Sequence, residues 1–180
     1  IKYSIDGYHD DLRDLTQKHY FDFFNPKFGL FYDFSDKQHF YFAWALANRE
    51  PSRNKYRDAD PANTPESEKL FDYELGYEYN SKNFALNANL YYMDYRDQLV
   101  LTGEINNVGN PIMTNVDKSY RAGIELSTGI KLCSKLRWDM NMTLSQNKIK
   151  DFVEFVDIFD ENWNFLGQKK NDIGKTDLSF

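Results

Sequence analysis

The chain has 180 residues, a formal net charge of -6 and 28% charged residues, a balance that argues against nucleic acid as a partner. A single cysteine, Cys133, excludes an internal disulfide framework and a cysteine-built metal cage. No run of about 18 apolar residues occurs, which excludes a helical membrane span but leaves a β-barrel open, because strands that alternate lipid-facing and lumen-facing residues have a weak hydropathy signal.

After a polar lead-in, residues 1–20, an alternation of period two sets in and persists for most of the chain. In 25–34 one face reads Phe28, Leu30, Tyr32, Phe34; the turn 35–38 then reverses into 39–51, where Phe40, Phe42, Trp44 and Leu46 oppose Tyr41, Ala43, Ala45 and Ala47. Residues 48–68, rich in Pro, Asn and charge, read as a surface loop. In 69–80 Phe71, Tyr73, Leu75, Tyr77 and Tyr79 form an aromatic ladder, and the other face holds Asp72, Glu74, Gly76 and Glu78. As a helix the same letters would scatter aromatics and carboxylates around the whole circumference, so the segment is a strand. The turn 81–83 leads into 84–95, a long connection is expected over 96–119, and 120–132 and 136–148 form the next pair around the turn 133–135. A third long connection is expected over 150–175, and "GKTDLSF" reads as the start of a further strand.

Two regularities ask for one explanation. The strands are about twice the usual length, enough to cross a bilayer at a tilt near 45°. Their connections alternate short and long, as in a transmembrane barrel with tight turns on one side and long loops on the other. The aromatic face then meets lipid, with tyrosines suited to the interface, and the polar face lines a wet or plugged lumen. The expected fold is therefore all-β, an antiparallel up-and-down meander of about six to seven strands of a larger transmembrane β-barrel. Two other classes stay open: a soluble β-sandwich that binds carbohydrate through aromatic platforms, and a small closed barrel acting as an anchor.

The stretches "NPKFGLFYDFSDKQHFYFAWALANREPSRNKY", "DYELGYEY", "LNANLYYMDYRDQLVLTGEINNVGNPIMTNV" and "YRAGIEL" closely resemble the later barrel strands of TonB-dependent outer-membrane receptors, with similarity over residues 20 to 180. The resemblance implies a plugged barrel of about 22 strands. It also implies a bacterial outer-membrane location, import of a scarce nutrient such as a ferric siderophore, and energy delivered by TonB through a plug segment. Nothing in 1–180 corresponds to that plug, so the chain is expected to be one partial barrel domain, with Phe180 a cut end and its outer strand edges unpaired.

No catalytic site is expected. His9, His19 and His39 lack metalloprotease spacing, and neither a nucleophile elbow nor a phosphate-binding glycine loop occurs. Asp160, Asn162 and Asn164 have calcium-loop spacing, but Phe165 stands at the sharp-turn glycine position and Asn171 at that of the bidentate glutamate, so an ordinary polar loop is expected and no metal or cofactor. The carboxylates Asp72, Glu74, Glu78 and Glu125 are expected to meet Arg121, Arg137 or Lys131 across the strands, or to face water and the plug. The one candidate ligand contact is the basic loop with Arg49, Arg53, Tyr56 and Arg57, which could hold an anionic ferric chelate by charge and stacking. Against it stand Asp58, Asp60, Glu66 and Glu68, which would cancel its charge in a merely solvated loop.

Overall fold

A computed structural model of the chain describes residues 2–7, 14, 16–59, 64–106 and 109–177. His9, Asp60 and Phe180, considered above, lie outside the described residues. A small two-stranded sheet pairs β1 (Lys2–Ile5) with β2 (Gln17–Tyr20). The rest is one antiparallel meander of seven strands in sequence order: β3 (Lys27–Ser35), β4 (Gln38–Arg49), β5 (Glu68–Asn80), β6 (Phe84–Ile105), β7 (Pro111–Cys133), β8 (Leu136–Phe159) and β9 (Phe165–Asp177). It stays an open sheet with β3 and β9 at its edges, and among the described residues no second sheet packs on its face as a sandwich would require.

The register keeps the two faces apart. Leu30, Phe42, Leu75, Leu90, Ile124 and Leu144 stand in one cross-strand row, and Phe28, Trp44, Tyr73, Tyr92 and Ala122 in the next. On the opposite face Tyr41, Gly76, Asn89, Glu125 and Thr143 form a row, as do Ala45, Asp72, Met93, Arg121 and Asn147. A slip of one residue in any pair would exchange the faces. The apolar rows are left open to the surroundings: Leu30, Leu75, Leu90, Leu144 and Trp138 are all exposed, a continuous patch far beyond what water tolerates on an isolated domain.

Gly76 shows how tightly the polar face is built. The Tyr41 ring lies across it, so that a Cβ at Gly76 would fall 1.9 Å from the ring. On this face Glu78 accepts from Asn87 Nδ2 at 3.1 Å, and Arg137 pairs with Asp139 on its own strand at 2.8 Å.

The two ends differ as the sequence suggests, but two of the three long connections are corrected. Residues 96–105, 111–119, 150–159 and 165–175 are strand: β6, β7 and β8 run 22, 23 and 24 residues, β6 ends at Ile105 and β7 begins at Pro111, and residues 160–164 turn β8 into β9. About 9–11 tilted residues suffice to cross a bilayer, and each of these strands runs well past that count. There the simple alternation fails. Asp97 interrupts β6 at φ 53°, and Val100, Val116 and Ile149 bury one another beside Phe152 in a small core of their own. Gly103, at φ 85°, brings β6 so near β8 that a Cβ would lie 2.4 Å from the Phe155 carbonyl oxygen, and Gln168 Nε2 ties the two hairpins by donating to Gly103 O and Asp157 Oδ1.

Replacing Gly76 with Ala is expected to destabilise the protein by roughly 1–3 kcal/mol through overpacking against Tyr41, and less than half of that in a Tyr41→Ala background. Urea unfolding of the two single variants and the double variant in detergent checks the coupling.

Candidate functional site

At the long-loop end, the polar face closes in a cluster drawn from four strands. Arg49 ends β4 and Glu68 begins β5, directly opposite each other, and Arg49 Nη2 donates to both Glu68 carboxylate oxygens at 2.7 Å. The pair is lopsided: the Glu68 side chain is 8% exposed and that of Arg49 72%. The next row down is Ala47, Leu70, Tyr95 and Ser119. Tyr95 lies under the Arg121 guanidinium at 5.3 Å, and the Ser119 hydroxyl donates to Gln98 in a buried bond. Arg49, Glu68, Leu70, Tyr95, Gln98 and Arg121 line a depression of about 310 Å³ on the polar face; a second, of about 230 Å³, lies past Arg49 toward Lys55, Leu99 and Met113.

Residues 50–59 and 64–67 sit over this mouth. The loop's short helix α1 spans Arg53–Asp58. Tyr56 turns inward, 4% exposed, against Ile5 and Phe21, with its ring stacked on that of His19 at 3.8 Å. Gln17 fixes the contact: its Nε2 donates to Tyr56 O at 3.4 Å, and its Oε1 accepts from His19 Nε2 at 2.8 Å. On the other side Asn115 of β7 grips the loop backbone, accepting from Glu66 N at 2.8 Å and donating to Glu66 O at 3.1 Å. The loop is thus held by the β1–β2 sheet and by the β6–β7 hairpin.

The four candidate residues therefore divide. Arg49 is held by Glu68. Arg57 is engaged by Asp58 through two bonds of 2.8 and 2.9 Å. Tyr56 anchors the loop, and Arg53 is exposed, with no carboxylate partner among the described residues. The cancelling acids noted in the sequence act in two pairs, Asp58 and Glu68. Tyr95, Gln98 and Ser119 are additions: an isolated Tyr, Gln or Ser carries no signal until the register aligns them with Arg49. Asp160 organises its own turn. Its Oδ1 accepts from the backbone N–H groups of Asn162 and Asn164 and its Oδ2 from Asn164 Nδ2, which hold its carboxyl below the usual carboxylate range and fold the turn. No group of three metal-ligating side chains occurs among the described residues.

The sequence matches the family model for the TonB dependent receptor-like β-barrel over residues 2–176. The chain belongs to this family. No curated protein matches it. Among solved structures it is similar to the FrpB iron transporter from Neisseria meningitidis (F3-3 variant), with 18% identity and a TM-score of 0.56; the match covers 78% of this chain and 25% of that one. The chain thus corresponds to about a quarter of that transporter's length, and the likeness is one of fold. In a TonB-dependent receptor barrel the two faces of the meander acquire their meaning: the aromatic rows meet lipid, and the Arg49–Glu68 cluster lies on the lumen side of the wall at its long-loop mouth.

Burial holds the His19 imidazole below its ordinary value, so the folded site favours the neutral ring. The unfolded segment then binds more protons than the folded one just below the ordinary value of about 6.5, and the contribution of the His19–Tyr56 contact is complete above that pH and declines as pH falls through it. Hydrogen exchange at the amides of residues 53–58 should accelerate between pH 7.5 and pH 5, after correction for intrinsic rates, and His19→Phe should abolish that acceleration.

Proposed function

We propose that the protein is part of the barrel wall of a bacterial outer-membrane receptor that imports a scarce nutrient, a ferric siderophore or similar anionic chelate, without catalysis. The observation that carries this reading is the family match over residues 2–176, which joins the wall to a class of gated importers. The similarity to a structure described as an iron transporter supports iron as the cargo. The mouth supplies the matching chemistry: Arg53 is exposed with no carboxylate partner among the described residues, and Arg49 and Arg57 can exchange a carboxylate oxygen for an anionic ligand oxygen in the same geometry. Tyr56 serves the site by fixing the loop that presents the arginines. Outer-membrane lipid covers the aromatic face, and TonB acts through a plug segment in the lumen.

The test is uptake of radiolabelled ferric chelates of catecholate, hydroxamate and citrate type by cells that carry the full-length receptor, with a deletion strain as reference. Arg53→Ala is expected to weaken uptake about threefold, and the combined Arg49, Arg53 and Arg57 to Ala variant about tenfold or more, with stronger salt sensitivity in the wild type. Uptake of every chelate unchanged in the deletion strain would remove iron as the cargo. A lost signal in the deletion strain with an unaffected triple variant would remove the loop instead.

A further inference from the structure

The β8–β9 hairpin ends in an apolar tip that neither the bilayer nor any part of the described chain covers. Phe159 and Phe165 face each other across the turn with ring centroids 5.9 Å apart, and Trp163 leans against Phe159 at 6.1 Å. Trp163 is 82% exposed and sits at φ 63°, a left-handed conformation that a bulky residue adopts only at a cost. The turn holds it there. Besides the Asp160 carboxylate bonds, Trp163 N donates to Asp160 O and Asp160 N to Asn164 O, each at 3.0 Å.

Lipid does not account for the patch. The apolar ladder of β8 ends at Leu144, β7 and β8 stay paired as far as Ile149, and Phe159 lies ten residues beyond that. Leu144 is already the ninth residue of β8, about the span of a bilayer, and Phe159 follows fifteen residues later, past the left-handed break at Asp151. Charge names the occupant. From Asp151 to Gln168 the chain carries Asp151, Glu154, Asp157, Asp160 and Glu161 and no lysine or arginine. Lys169 and Lys170 follow on β9, opposite Val156 and Phe155, and form no ion pair with these acids among the described residues.

We propose that this tip is a docking site for a basic polypeptide segment, which lays a lysine or arginine over the Trp163 indole beside Glu161 and its apolar side chains over Phe159 and Phe165. Three rings in a row exceed what one small cation covers, whereas an extended segment alternating cationic and apolar side chains matches both the rings and the acids. The Asp160–Asn164 bonds fix the turn in advance, which lowers the ordering cost of docking.

The full-length protein in nanodiscs is titrated calorimetrically with a capped octapeptide of alternating arginine and leucine, with the glutamate–leucine counterpart and cellohexaose as comparison probes. The arginine peptide should bind and the glutamate peptide should not. Trp163→Ala should weaken binding about tenfold, Trp163→Phe about threefold or less, and Glu161→Gln about threefold, with affinity falling as salt rises. Equal binding by wild type and Trp163→Ala would overturn the proposal. So would Trp163-dependent binding of cellohexaose without the peptide, which would make the tip a glycan platform. Shielding of Trp163 from acrylamide in the full-length protein would also overturn it, by showing that a neighbouring loop covers the rings.

Discussion

Inside hydrocarbon no water is available to a backbone N–H or C=O, so every strand of a membrane wall has to satisfy its polar backbone on its neighbours. That constraint fixes the meander, and the period of two then does the rest. Once β4 pairs with β5 so that Trp44 faces Tyr73 and Ala45 faces Asp72, each later strand is bound to the same parity, and Ile124 and Leu144 fall in one row with Leu75. The polar rows follow by necessity on the other side. Small residues in those rows make room for large ones, as Gly76 does for the Tyr41 ring.

The mouth inherits its geometry from the same register. Arg49 meets Glu68 because they are opposed at the last pair of the β4–β5 ladder, and Tyr95 and Ser119 are brought beneath them by the next two ladders. Beyond the bilayer the rules change. With water on offer, the strands need not keep one greasy face, and β6, β7 and β8 instead bury Val100, Val116 and Ile149 between hairpins. A loop anchored by Tyr56 and Asn115 can then hold arginines at fixed positions over the wall, where a free loop would spread them through solvent.

Within the wall the fold was legible in the letters because one physical demand, lipid on one side, acts on every second residue. The ladders of 69–80 and 136–148 coincide with β5 and with the first half of β8. The upper halves of β6 to β8 look like connections in the sequence because that demand ends there. "RDQLVLTGEI" puts Gln98, Leu99 and Val100 in succession, all buried, after a left-handed Asp97, a pattern with no period of two. The strands β1 and β2 leave no such signal for a related reason: each has four residues, too few for a pattern to show in a polar lead-in. At the site, the charge pairing of Arg49 and Arg57 was readable from nearby acids, whereas the inward turn of Tyr56 depends on His19, 37 positions earlier in the chain by their numbers.

The account stands on the assignment of the two faces, and adjacent residues of β8 test it most directly. Nitroxide labels placed singly from Arg137 to Leu144 in the full-length receptor, with Cys133 replaced, report collision with oxygen from the bilayer and with a nickel chelate from water. Labels at 138, 140, 142 and 144 should favour oxygen and those at 137, 139, 141 and 143 the nickel chelate, in a strict alternation. Uniform accessibility along the strand, or an inverted pattern, would contradict a wall with lipid on its aromatic face.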